Sequence, residues 1–258
     1  MSKKYRLSEL FFSMQGEGYF AGTPSLWVRS FGCNLKCPGF PCDTEYSWNG
    51  EFKDQHETYT PEDIHQTLKA LITNENNPTG SLVHPITNGD IHIVFTGGEP
   101  LLKKYQTMIR EVVDLFLEEN DWVHFTVETN GTQQLTDEFV KWAYESNAYP
   151  FFSISPKLES VSGEKGAVDF DNIIEISELF NAQIKFVANA SEECEKELLD
   201  VTRVLVDNDI GSEFFVMPLG ETMEDQLKIA PIVEKYQALG FRIALRGHTY
   251  VWSNAKNR

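Results

Sequence analysis

The sequence predicts an α/β fold, a barrel or partial barrel built on parallel strands, and three observations predict it. Short β-rich apolar runs alternate with amphipathic stretches of helical length along most of the chain. About seven strand–helix units can be traced, and that alternation favours parallel strands with right-handed crossovers. No linker-like composition, repeat or low-complexity tract divides the 258 residues, a length that an α/β barrel often fills as one domain.

In chain order, strands are expected at Leu26–Phe31, Ile91–Thr96, Val123–Glu128, Phe151–Ile154, Gln183–Val187, Glu213–Met217 and Arg242–Leu245. The first helix should run from Pro61 to about Ile72, with Thr60 as N-cap and proline in the first turn. Leu101–Leu117, Thr136–Tyr144, Asn172–Phe180, Glu192–Val206 and Thr222–Leu239 read as further helices, and Gly240 ends the last as a C′ glycine. Asn74–Gly89 is polar and rich in turn residues, which marks a surface loop.

Composition narrows the function. The apolar fraction of 41% and charged fraction of 24% are those of an ordinary globular chain with a sizeable core. The net charge of −17 argues against binding nucleic acid or an anionic membrane, because phosphates reward cationic surfaces. No membrane-length apolar run and no secretory signal are seen, so a soluble cytoplasmic protein is expected.

In parallel α/β folds, sites form at the carboxyl ends of strands. Four suggestive segments fall there: Gly32-Cys33, Gly97-Gly98-Glu99-Pro100, Thr129-Asn130-Gly131 and Ser155-Pro156-Lys157. Cys33, Cys37 and Cys42 are spaced C-x3-C-x4-C, while Cys194 stands alone in an acidic helix and reads as structural. Thiolates are soft ligands for iron–sulfur clusters, zinc or copper. Three cysteines without a fourth leave one corner of a 4Fe–4S cluster open, whereas structural zinc closes with four protein ligands. The alternative is a Cys3His zinc loop using His56.

These residues resemble the radical S-adenosylmethionine superfamily. Within it they are similar to the 7-carboxy-7-deazaguanine synthase family, of the queuosine pathway. The likeness is carried by Gln15-Gly16-Glu17-Gly18, Trp27-Val28-Arg29, Cys42-Asp43-Thr44 with Trp48, Thr96–Pro100, Glu128–Thr132, Ser153–Lys157 and His248. The superfamily spacing is C-x3-C-x2-C, so this chain carries two extra residues before its last cysteine. The resemblance implies a partial (β/α) barrel of about six parallel strands, with residues 1–258 as one domain and the cluster loop at 32–48. It implies a lyase that converts 6-carboxy-5,6,7,8-tetrahydropterin to 7-carboxy-7-deazaguanine by hydrogen-atom abstraction, ring contraction and ammonia loss. The implied cofactors are a 4Fe–4S cluster, S-adenosylmethionine and Mg²⁺. The implied partners are the pterin, an electron donor such as a flavodoxin, and a second copy in a homodimer.

Residue by residue, the resemblance assigns Cys33, Cys37 and Cys42 to the cluster and Thr44 to Mg²⁺. It assigns Gly98, Glu99, Thr129, Ser155, Pro156 and Lys157 to S-adenosylmethionine, with Glu99 meeting its ammonium group. It assigns Met14, Gln15, Gly16, Glu17, Arg29, Thr96 and His248 to substrate. Arg29 offers a fork suited to a carboxylate. Bland alternatives stay open: a plain turn at Gln15–Gly18 and at Asp43-Thr44, a polar strand end at Ser155–Lys157, and a structural histidine at 248. Two other functions also stay open. One is an activase that installs a glycyl radical on a protein partner, and the other is a zinc-stabilised binding module.

Overall fold

The two faces of the sheet have opposite characters, and that contrast positions the site. A computed structural model of the chain describes residues 3–39, 42, 44–220 and 222–253. Its elements begin with β1 (Tyr5–Met14), β2 (Pro24–Ser30), two 3₁₀ turns at Glu45–Ser47 and Gly50–Gln55, β3 (Glu57–Tyr59), α1 (Pro61–Ile72), β4 (His92–Gly97) and α2 (Lys103–Leu117). They continue with β5 (Val123–Thr129), α3 (Asp137–Glu145), β6 (Ala148–Ile154), α4 (Glu159–Ser162), α5 (Phe170–Leu179), β7 (Asn181–Ala188) and α6 (Glu192–Asp207). The last are β8 (Glu213–Pro218), α7 (Met223–Gln226), α8 (Ala230–Ala238), β9 (Arg242–Ile243) and α9 (Gly247–Trp252).

The strands of the described residues form one sheet in the order β3-β1-β2-β4-β5-β6-β7-β8-β9. β1 is antiparallel to both neighbours, and every pairing from β2 through β9 is parallel. The parallel run is thus seven strands rather than about six, because the two-residue β9 still pairs with β8. The sheet curls into an open barrel. The loop between β1 and β2 crosses the interior, where Tyr19 N–H donates to Gln183 Oε1 on β7 at 2.8 Å and Gly247 N–H donates to Gly16 O at 2.7 Å.

Side chains alternate across each strand. One set, including Val28, Phe95, Val127, Ile184 and Val216, lies under the helices in one continuous core. The opposite set faces the barrel interior and is polar toward the strand ends: Arg29, Thr96, Glu128, Ser153 and Lys185. Small apolar clusters, Phe11–Trp27–Val94 and Phe215–Met217–Ala244, complete that inner face.

β1 is absent from the sequence-based expectation for a physical reason. Its register shifts between Leu7 and Glu9, so Ser8 is an extra residue that breaks the alternation. Tyr5 and Leu7 face the outer core, and past the bulge Glu9 and Phe11 face the interior. The bulge therefore aims Glu9 at Arg29. The expected helix Thr222–Leu239 is also corrected: it divides into α7 and α8. Pro231 sits in the first turn of α8, where its missing N–H is tolerated, and a continuous helix would need that N–H. The remaining expectations hold closely. Thr60 caps α1 with Pro61 at its start, and Gly240 takes a left-handed φ of 89° after α8.

The bottom of the barrel is plugged by the β1–β2 loop. Phe20 meets His92 edge-on at 4.7 Å and Phe151 at 4.9 Å. Burial, helped by nearby His124, pushes His92 down from 6.5 to about 4. The unfolded chain therefore takes up a proton near pH 6.5, while the folded chain resists until about pH 4. Stability tied to a neutral His92 is present above that window and is lost as pH falls through it, by about 3 kcal/mol. His92→Gln should flatten the loss of urea stability between those two pH values.

Candidate active site

A pocket of about 250 Å³ opens at the carboxyl ends of the parallel strands, between them and the inward loop after β1. Cys33, Cys37 and Cys42 all line it. Leu35 N–H donates to Cys33 Sγ at 3.4 Å, and Asn130 Nδ2 lies 3.9 Å from the same sulfur. Cys42 Sγ lies 3.5 Å from Thr44 Oγ1, and Thr44 lines the pocket beside it. Phe40, Pro41 and Asp43 of this loop lie outside the described residues. Among the described residues, no three His, Cys, Asp or Glu side chains stand grouped as a ready-made metal site. Burial pushes the Cys33 thiol up to about 12, an effect that a bound cation reverses. The donor set is three thiols lining the same pocket, with Cys194 elsewhere, and that donor chemistry suits a cluster with one open corner.

The zinc alternative gains no support from His56. Its ring packs on Phe31 at 4.3 Å, and it does not line the pocket. Cys194 is buried in α6, where it accepts from Tyr236 O–H at 3.3 Å, as a structural residue should.

Next to the cysteines lies the turn after β4. Glu99 N–H donates to Gly32 O at 2.8 Å, tying this turn to the cysteine loop. A Cβ on Gly98 would stand 2.2 Å from Gly32 O, and one on Gly97, at φ 140°, 2.4 Å from Ser30 O. Only glycine permits that approach. Gly98→Ala should therefore lower Tm by about 5 °C and reduce metal uptake, as followed by differential scanning fluorimetry and iron analysis.

Glu99 lies behind the pocket lining. It is fully buried and does not line the pocket. Its carboxylate accepts from Leu101 N–H at 2.9 Å, Thr129 O–H at 2.7 Å and Asn130 N–H at 2.8 Å. Burial raises its pKa against those donors. Glu99 thus ties the turns after β4 and β5 together. Pro156 is also buried outside the pocket wall, while Ser155 and Lys157 line it, with Lys157 Nζ donating to Ser155 Oγ at 3.0 Å.

The same pocket carries a buried charge network. Gln15 Nε2 donates to Glu128 Oε1 at 3.1 Å, and Gln15 Oε1 accepts from Glu17 N–H at 3.0 Å. Glu17 is paired with Lys185 at 2.5 Å and Arg246 at 3.3 Å. Burial alone would raise Glu17, but Lys185, Arg246 and His248 overcome it and hold the carboxyl well below the usual carboxylate range. Burial likewise pushes Lys185 down, and Glu17 and Glu128 more than offset it. His248 packs against Gly16: a Cβ there would stand 2.2 Å from its Nδ1. Arg29 is oriented by Glu9, which accepts from its Nε at 2.7 Å and from Tyr46 O–H at 2.8 Å.

One pocket thus gathers the three cysteines, Thr44, Gly98, Thr129, Ser155 and Lys157 with Met14–Glu17, Arg29, Thr96 and His248. Lys185, Glu128 and Arg246 belong to the same site and were not among the expected residues. The available signal for Lys185 was two polar residues at alternate positions, Gln183 and Lys185, in the expected strand Gln183–Val187, whose other residues are apolar.

No family model matches the chain. A curated 7-carboxy-7-deazaguanine synthase of Halobacterium salinarum is 29% identical, covering 96% of this chain and 91% of that protein. One of Pyrobaculum aerophilum is 29% identical, covering 99% of this chain and 98% of that one. The crystal structure of QueE from Escherichia coli has a TM-score of 0.63 at 21% identity, covering 95% of each chain. The chain therefore resembles the 7-carboxy-7-deazaguanine synthases over almost its whole length and has the fold of the QueE structure.

Proposed function

We propose that the protein is a 7-carboxy-7-deazaguanine synthase, a radical S-adenosylmethionine lyase acting on 6-carboxy-5,6,7,8-tetrahydropterin. The observation that carries this reading is that one pocket is lined by three cysteine thiols and by the buried Glu17–Lys185 pair. When bound, the cluster and S-adenosylmethionine supply one electron and an acceptor for the substrate hydrogen atom.

In this reading Cys33, Cys37 and Cys42 hold the cluster. Gly98 presents bare backbone to the cofactor, Thr129 lines its pocket, and Ser155 and Lys157 donate to its carboxylate or ribose. Glu99 supports that wall from below, and Pro156 fixes the turn. Glu17, kept ionised by its cations, accepts from ring N–H groups of the pterin, and Gln15 and the backbone of Met14–Gly16 read the ring edge. Arg29, its plane set by Glu9, receives the substrate carboxylate or carbonyl. Thr96 and His248 complete the contacts. Thr44 would offer one hydroxyl to a bound Mg²⁺, an ion that prefers oxygen ligands and would supply charge stabilisation there. The enclosing loop after β1 shields the reacting ring from solvent.

We extend the proposal to the setting. Residues 1–258 act as one domain, supported by the bond from Gly247 to Gly16 that joins its ends. The thiols suit a reducing cytoplasm, with an electron donor such as a flavodoxin and a homodimeric assembly. No helix of the described residues is long and apolar enough to cross a membrane. The test is anaerobic reconstitution followed by assay with the pterin and S-adenosylmethionine. The expected product is the deazapurine acid, detected by mass spectrometry. A loaded protein that cleaves S-adenosylmethionine but leaves the pterin intact would reject this substrate.

A further inference from the structure

We propose that Glu164 is a positioning residue for the cluster: its carboxylate clasps the extended cysteine loop and so aims Cys37. The inference rests on the reading that Cys33, Cys37 and Cys42 hold the cluster. The N–H groups of Lys36 and Cys37 converge on one atom, Glu164 Oε1, at 2.5 and 2.6 Å. Successive N–H groups aimed at a single point form a concavity for an anion, and bonds to a carboxylate are about twice as strong as neutral ones. Cys37 adopts φ 47°, a conformation costly for a residue with a Cβ. Such a conformation persists where the surroundings over-determine it, and Glu164 is what holds it here.

The clasp is itself anchored. Glu164 N–H donates to Ser162 Oγ at 3.1 Å, and Ser162 O–H donates to Leu158 O at 2.7 Å. A second hold lies two residues beyond Cys37, where Gly39 N–H donates to Ser162 O at 2.7 Å. A Cβ on Gly39 would stand 2.6 Å from Val161 O, so only glycine lets the loop lie this close. The bed beneath, α4, is pinned by Glu197 of α6, which accepts from Glu159 and Ser160 N–H at 2.7 and 2.8 Å. A C-x3-C-x4-C loop has more conformational freedom to lose than the shorter superfamily spacing. Docking residues 36–39 on α4 and Glu164 offsets part of that loss before any metal arrives.

The experiment compares the parent, Glu164→Ala and Glu164→Gln, each reconstituted anaerobically with iron and sulfide. Iron per chain, visible absorbance and the rate of cluster loss to a chelator are read, with far-UV circular dichroism as the fold control. Glu164→Ala should lose its cluster about tenfold faster than the parent, equivalent to about 1.4 kcal/mol. Glu164→Gln, whose amide oxygen still accepts both N–H groups, should stay within about threefold of it. A Glu164→Ala protein that keeps its cluster as long as the parent overturns the inference, even if its melting temperature falls. Should Glu164→Ala fail to fold, Gly39→Ala, which lifts the loop without touching the carboxylate, must accelerate loss, and parent-like retention there overturns the inference too. A parent that takes up no cluster overturns the functional reading as well.

Discussion

Anaerobically reconstituted Cys33→Ala, Cys37→Ala and Cys42→Ala proteins will each hold little iron and turn over no pterin, while His56→Ala and Cys194→Ala load and react like the parent. The three thiols line one pocket, whereas His56 packs on Phe31 outside it and Cys194 lies in α6 against Tyr236. On the proposed reading each triad thiol is one of three protein ligands, so removing one leaves two sulfurs and a second open corner. The loss is categorical rather than graded, because the chemistry belongs to the bound group and the chain merely holds it. Iron analysis and absorbance near 400 nm check the first half, and product by mass spectrometry the second. A triad variant with full turnover would remove that cysteine from the cluster. Loss of metal in His56→Ala would restore the zinc alternative.

Much of this arrangement is legible in the chain. The parallel strands after β3 announce themselves because both faces are buried, giving compact apolar runs such as Ile93–Phe95. The site segments at their ends stand out because glycine, cysteine and proline are uncommon together. What escapes a linear reading is what depends on distant residues. β1 hides because its bulge at Ser8 shifts the hydrophobic phase halfway along. Glu99 reads as a ligand contact from its motif, yet its three donors come partly from Thr129 and Asn130 on another turn. Lys185 carries no assignment in the linear reading, because only the folded loop after β1 brings Glu17 within 2.5 Å of it. Glu164 is silent for the same reason, lying more than a hundred residues from the backbone it clasps.

Lys185→Met should produce the largest loss of stability among the pocket residues outside the cysteines. The ammonium is only 6% exposed and Glu17 11%, so removing one partner strands a carboxylate in a poorly solvated interior. Breaking such a pair costs about 3–5 kcal/mol, roughly 10 °C in Tm for a chain of this size. Replacing both partners, in Lys185→Met with Glu17→Gln, should recover part of that loss, because the desolvation of two charges disappears with them. The functional consequence has a definite sign. With Lys185 present, Glu17 has a depressed pKa, so its ionic contribution is complete above the ordinary value of 4.5 and is lost only in strong acid. Without the ammonium, burial, the largest influence on Glu17, works against Arg246 and His248 alone, and the pKa climbs. The pterin KM of Lys185→Met should then rise as pH falls, a limb the parent lacks over the same range, while kcat at saturating substrate changes less. A variant with parent-like melting and a flat KM profile would show that Lys185 does not hold Glu17 in its charged state.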